Sequence, residues 1–180
     1  LEVFPKCTAT ILSLKNTQVH HAYYGAYSVC YKCSYHEKVF FAMKRFHIKA
    51  GNSGDPNVAA TEQKLWKHVY GCDVKIVQRY MKKGAKSEDL ALIMPWVDPV
   101  SNDRQSDSGF ISKVKKLCAE VKELQQNTRA LVHGDIRWPN IGQVVFDDGT
   151  LYPVLLDLSS LLSEKTELDF TDIEPKGHTG

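Results

Sequence analysis

His133-Gly134-Asp135-Ile136-Arg137-Trp138-Pro139-Asn140, followed by Leu155-Leu156-Asp157-Leu158-Ser159, is the stretch on which the reading of this chain turns. It brings an imidazole, two carboxylates and an amide close together in sequence. The acids and the amide are hard oxygen donors, and magnesium needs only a few of these from protein when phosphate and water supply the rest. The apolar run Val154-Leu155-Leu156 leads straight into Asp157 and places that acid at the mouth of a core. A lone His-x-Asp carries little, because both residues are common turn formers. The elements upstream decide its weight.

Thr8 to Leu14, Ser28 to Tyr35 and Val39 to Phe46 alternate apolar and polar residues, are rich in β-branched and aromatic types, and read as antiparallel strands. Asp55 to Val69 reads as a helix, with Pro56 near its start, apolar residues at helical spacing and Gly71 past its end. Val74 to Met81 and Leu90 to Val97 read as further strands. Val97 to Gly109, polar and bounded by Pro99 and Gly109, reads as a connection. Phe110 to Arg129 carries one apolar stripe through Ile111, Val114, Leu117, Cys118, Val121 and Leu124, and reads as a helix. Gln143 to Phe146 and Tyr152 to Leu156 form a predicted hairpin around Asp147-Asp148-Gly149. That hairpin should extend outward without moving Asn140 or Asp157.

Taken in order, these segments resemble the protein-kinase-like superfamily. Its catalytic loop reads His-Arg-Asp-x-x-x-x-Asn and its metal motif Asp-Phe-Gly; Asp135 and Asn140 stand at the same interval. Val39-Phe40-Phe41-Ala42-Met43-Lys44 resembles the Val-Ala-Ile-Lys strand, and Glu62-Gln63-Lys64-Leu65-Trp66 the helix whose glutamate pairs with that lysine. Leu90 to Val97 is similar to the strand and hinge that hold adenine. The resemblance implies an α+β, bilobal fold: residues 1–97 as an antiparallel-sheet N-lobe with the hinge, and 98–180 as an abbreviated helical C-lobe.

The resemblance also implies roles. Lys44, held by Glu62, would bridge phosphates of ATP. Asp135 would orient or deprotonate the acceptor hydroxyl, and Asn140 and Asp157 would hold magnesium. Met94, Trp96 and Val97 would contact adenine, with a backbone donor near Val97 because Pro95 has no N–H. Arg137 stands where Ser/Thr kinases usually carry a lysine, and its guanidinium fork suits phosphate oxygens. The implied activity is phosphate transfer to an alcohol, a protein Ser/Thr hydroxyl first. The alternatives are a kinase-shaped binding module and a small-molecule kinase of the aminoglycoside or choline type.

Four departures from the family pattern bear on that choice. Gly134 replaces the arginine that reads a phosphorylated activation segment, so the wording is that of the His-Gly-Asp group and is closest to the kinase domains of Crinkler-type effectors. Asp157-Leu158-Ser159 replaces Asp-Phe-Gly. Gly25 is the only glycine in His21 to Tyr27, where the phosphate-covering loop is expected. Only residues 158–180 follow Asp157, so either the family's second half is truncated or the substrate is held by something else.

Composition adds bounds. At 180 residues, 43% apolar and 24% charged, the chain is long enough to bury a core. A net charge of +2 and scattered basic residues argue neither for nor against nucleic acid and give no specific signal for it; the protein substrate or partner expected is what the resemblance implies. No apolar run reaches a membrane span and no signal-peptide pattern opens the chain. Cys30 and Cys33 stand three apart in a strand, where alternation sends them to opposite faces. They read as ordinary thiols of a reducing, intracellular compartment, cytoplasmic or nuclear. Oligomeric state is left open.

Overall fold

The computed structural model describes residues 17–25, 28–35, 39–46, 56–79, 89–124, 132–162 and 167–175. The chain divides into two compact units, residues 1–96 and 97–180. The architecture is α+β, with antiparallel sheets and few helices.

The first unit is a five-stranded sheet of β1 (Thr17–Tyr24), β2 (Ser28–Tyr35), β3 (Val39–Phe46), β4 (Lys75–Arg79) and β5 (Asp89–Pro95), with one helix, α1 (Pro56–Tyr70). Its strand order is β1-β2-β3-β5-β4, so β5 inserts between β3 and β4. The β2–β3 register pairs Cys30 with Lys44 and Cys33 with Phe41. One face therefore carries the buried cluster of Cys33, Phe41 and Ile93. The other carries Cys30, Lys44 and Leu92, the partner of Lys44 on β5. The two thiols fall on opposite faces, as alternation requires, and both are free.

Helix α1 buries Ala59, Glu62, Trp66, Val69 and Tyr70, spacings that line one side of a 3.6-residue helix, and packs against β4 and β5. It ends where Gly71 adopts a positive φ of 63°. The Gly71 N–H donates to the Lys67 carbonyl, the bond of an αL closure, and the Cys72 N–H reaches the Trp66 carbonyl at 3.4 Å. The Gln63 side chain donates to the Val74 carbonyl at 2.7 Å and turns the chain into β4.

One sequence expectation changes here, and another is not tested. The strand expected at Thr8 to Leu14 lies outside the described residues. Residues 21–24, expected within a phosphate-covering loop, belong to β1. Val19, Tyr23 and Tyr24 favour a pleated surface, and pairing with β2 runs from Thr17 to Tyr24 with one register shift between Val19 and His21.

In the second unit, β6 (Asp98–Pro99), β7 (Ile141–Val145) and β8 (Leu151–Leu155) form a sheet in that order, and α3 (Ser108–Glu123) packs on β8. The stretch expected as a plain connection contains β6 and a one-turn helix, α2 (Asn102–Gln105). Helix α3 starts before Phe110 because the Asp107 side chain caps it, accepting from the Gly109 and Phe110 amides. Those amides, Phe110 first, with Arg104, hold the Asp107 carboxyl below its ordinary range. The last residues of the expected helix, 125–129, lie outside the described residues. Gly142 on β7 is required by close approach, since a Cβ there would overlap Val97 and crowd the Asp98 carbonyl.

The β7–β8 hairpin closes where the Phe146 N–H donates to the Thr150 carbonyl. Hydrogen-bonded pairs then alternate along the ladder, which places Pro153 where its missing N–H would have faced the open edge.

Candidate active site

In the first unit the Lys44 ammonium donates to both Glu62 carboxylate oxygens, at 3.0 and 2.8 Å. Lys44 is 7% exposed and Glu62 1%. Removing two charges from water costs several kcal/mol per ion, and a well-packed apolar pair is often as stable. A buried pair of this kind is therefore better explained by a positioned charge than by stability. The Lys44 ammonium also lies 5.3 Å from the Phe46 ring centroid. Cys30 faces the same surface, where burial pushes its thiol up to about 11, so it stands neutral beside the pair.

The remaining expected nucleotide residues lie on β5, just after it and at the end of β1. Met94 is buried on β5 opposite Ala42. Trp96 follows β5 and joins an aromatic cluster. The Lys32 ammonium stands 4.8 Å from both the Trp96 and Phe40 ring centroids, and the Tyr23 ring is 5.8 Å from Trp96. Val97 opens the second unit and packs against Gly142. Gly25 donates its N–H to the Ser28 carbonyl at 2.8 Å, closing the connection between β1 and β2.

In the second unit a short irregular segment folds back on itself around Asp135. The Asn140 amide donates to the Asp135 carbonyl at 2.9 Å and to its Oδ2 at 2.7 Å. Arg137 Nε approaches the same Oδ2 at 3.1 Å, with both partners half exposed. Trp138–Asn140 form a 3-10 turn, in which the Asn140 N–H donates to the Arg137 carbonyl. With its N–H groups turned to Asp135, Asn140 keeps Oδ1 as an oxygen that no donor takes among the described residues.

Leu156 ties this loop to Asp157 through its backbone alone. Its N–H donates to the Asn140 carbonyl at 2.8 Å, and its carbonyl accepts from His133 Nε2 at 2.9 Å. His133 Nδ1 accepts the Asp135 N–H at 3.3 Å. One donor and one acceptor describe the neutral Nε2–H imidazole. Burial lowers the His133 pKa, and the Leu156 carbonyl and the Asp157 and Asp135 charges oppose that only in part. The Gly134 N–H donates to the Ser160 carbonyl at 2.9 Å. Asp157 takes a positive φ of 50°, unusual for a residue with a Cβ, and its Oδ1 accepts the Ser159 hydroxyl at 2.9 Å.

Sequence reasoning missed Leu156, Ser160 and Ser159. The first two act through main-chain atoms, which no side-chain motif reports. The Asp-x-Ser spacing at 157 and 159 was the one available signal.

A metal fits this donor set in one form only. Among the described residues no three His, Cys, Asp or Glu converge to cage an ion. Asn140 and Asp157 offer hard oxygens that suit magnesium completed by phosphate and water.

The family of unknown function DUF5898 matches residues 22–144. The chain belongs to that family. The DUF5898 match takes in Lys44, Glu62, Asp135 and Asn140 and ends before Asp157. No curated protein matches the chain. No helix among the described residues is long and apolar enough to cross a membrane.

Proposed function

We propose that the chain is an ATP- and magnesium-dependent phosphotransferase of protein-kinase-like fold, with a Ser/Thr hydroxyl of a protein as its preferred acceptor. Residues 1–97 would be its N-lobe and hinge, and 98–180 an abbreviated C-lobe. The observation that carries this reading is the Lys44–Glu62 pair: a buried, doubly bonded cation on a central strand, costly to keep unless its charge is used. Lys44 holds phosphate oxygens while Glu62 fixes its position. Asp135 orients the acceptor hydroxyl, and Asn140 shapes that acid through its two donated bonds. Arg137, close to the same carboxylate, offers a guanidinium to phosphate oxygens. Adenine rests against Met94, Trp96 and Val97. Asn140 and Asp157 hold magnesium, which when bound neutralises charge on the phosphates. Free thiols at Cys30, Cys33, Cys72 and Cys118 fit a reducing compartment, the cytoplasm or nucleus.

The test is radiolabelled phosphate transfer, including autophosphorylation, by bacterially produced protein. Asp135→Asn keeps shape and removes charge, and should lower transfer by about 10²–10⁴-fold while nucleotide binding persists. Because Gly134 removes the arginine link to an activation segment, phosphatase treatment should leave activity unchanged. Choline and aminoglycosides offered as acceptors distinguish a small-molecule kinase. Equal activity in both proteins points to a contaminant.

A binding module is the second reading, and one observation favours it. The Gly25 N–H, which a phosphate-covering loop would offer to the nucleotide, is spent on the Ser28 carbonyl. A thermal-shift titration separates the two, since a ligand of the folded state raises apparent stability. No shift with ATP and magnesium favours the module.

A further inference from the structure

We infer that Ser159 is a positioning residue for the metal-holding acid: its hydroxyl fixes the Asp157 carboxylate in the orientation that meets magnesium. The inference rests on the phosphotransferase reading above. Asp157 sits at a left-handed backbone position that residues with a Cβ rarely adopt, so its side chain leaves the chain in a direction set by that turn. The main chain there is held from below. The Ser160 N–H donates to the Asp157 carbonyl at 2.9 Å, and the following 3-10 turn (Leu158–Leu162) buries Leu158 and Leu161 completely.

The carboxylate still has its own torsions, and packing of the backbone does not settle them. The Ser159 hydroxyl does, by donating to Oδ1 at 2.9 Å. A neutral donor on one oxygen orders the group and leaves its negative charge in place. Groups that orient a metal ligand in this way typically contribute 10–100-fold to metal affinity. The third residue of Asp-Phe-Gly has no side chain to do this, so the device belongs to this chain's Asp-Leu-Ser wording.

The experiment is calorimetric titration of a non-hydrolysable ATP analogue, with and without magnesium, into the full chain and four variants. Ser159→Ala should weaken the magnesium-dependent component roughly 10-fold and leave magnesium-free nucleotide affinity unchanged. Ser159→Thr, which keeps the hydroxyl, should restore most of the loss, and Asp157→Asn should abolish magnesium dependence. Should Ser159→Ala not fold, Ser159→Gly reads the same loss with a freer backbone. Magnesium dependence that survives Ser159→Ala intact but vanishes in Asp157→Asn overturns the role of Ser159 and leaves the phosphotransferase reading standing. Equal loss with and without magnesium makes the serine structural, and failure of threonine to rescue removes the hydroxyl from the account. Wild-type protein that binds nucleotide without any magnesium dependence overturns the reading and this inference together.

Discussion

In residues 1–96 the charge that matters is dry. Lys44 and Glu62 meet inside the packing of α1 on the sheet, and each is the other's compensation for lost water. In residues 97–180 the corresponding charge is wet. The Asp135 and Arg137 side chains are 41% and 52% exposed, and what fixes Asp135 is a frame in which the His133 ring and the Asn140 amide bond to its backbone while the Leu156 main chain holds both. The difference teaches that a charged group can be placed by burial or by backbone scaffolding, and that the two fail differently. A buried ion that loses its partner threatens the fold. A scaffolded acid that loses its charge leaves the fold alone and removes only chemistry.

The largest effect should come from breaking the dry pair on one side. Glu62→Ala removes the carboxylate that both Lys44 bonds reach inside the core and should destabilise the first unit by about 3–5 kcal/mol, read from urea unfolding. Lys44→Met combined with Glu62→Leu should recover most of that stability while losing nucleotide binding. A single variant as stable as the wild type would mean that water already reaches the pair.

A smaller effect separates scaffold from charge in the second unit. The folded-state pKa of His133 lies below the ordinary value of 6.5, so the unfolded chain binds the proton more readily. The stability contributed by the neutral ring is present above pH 6.5 and is lost as pH falls through the lower, folded value. Protonation also ends the Nδ1 acceptor role toward the Asp135 N–H. Unfolding midpoints measured across that window should fall in the wild type and stay flatter in His133→Gln. Matching curves would show that the ring does not titrate with folding.

Smallest is the effect of Arg137→Ala on stability. An exposed pair of this kind contributes about 0.2–1 kcal/mol, and less as salt is raised. A loss above that range in urea unfolding would show that Arg137 is part of the scaffold and that the wet site is more built than its exposure suggests.

Much of the frame was legible in the sequence. Ser28–Tyr35 and Val39–Phe46 are strands with the bounds that alternation and aromatic content predict, and Gly71 marks the end of α1. The hairpin around Asp147-Asp148-Gly149 was legible in kind, but its strands begin a residue or two earlier than expected. Thr17–Tyr24 was missed because histidines and tyrosines around one glycine read as an irregular loop, whereas their β preference prevails once β2 offers a partner. The start of α3 was missed because a cap depends on where Asp107 points, which sequence spacing alone does not fix. At the candidate site the side chains were legible and their mounting was not. Leu156 is an ordinary apolar residue in sequence, yet its two main-chain groups hold both His133 and Asn140.

That mounting separates the tip of the hairpin from its base. Ile141 pairs with Leu155, and the Asn140–Leu156 bond closes the ladder just below them, so the turn from Phe146 to Thr150 lies beyond a clamp already shut, above the Leu151 carbonyl that accepts from Lys113 on α3. Asp147 and Asp148 are exposed, whereas Gly149 keeps a positive φ of 79° that a Cβ would strain although nothing stands nearby. The tip is thus a natural attachment point: a fluorophore, an affinity tag or a short inserted peptide placed there would report on the second unit without entering the geometry of Asp135, Asn140 and Asp157.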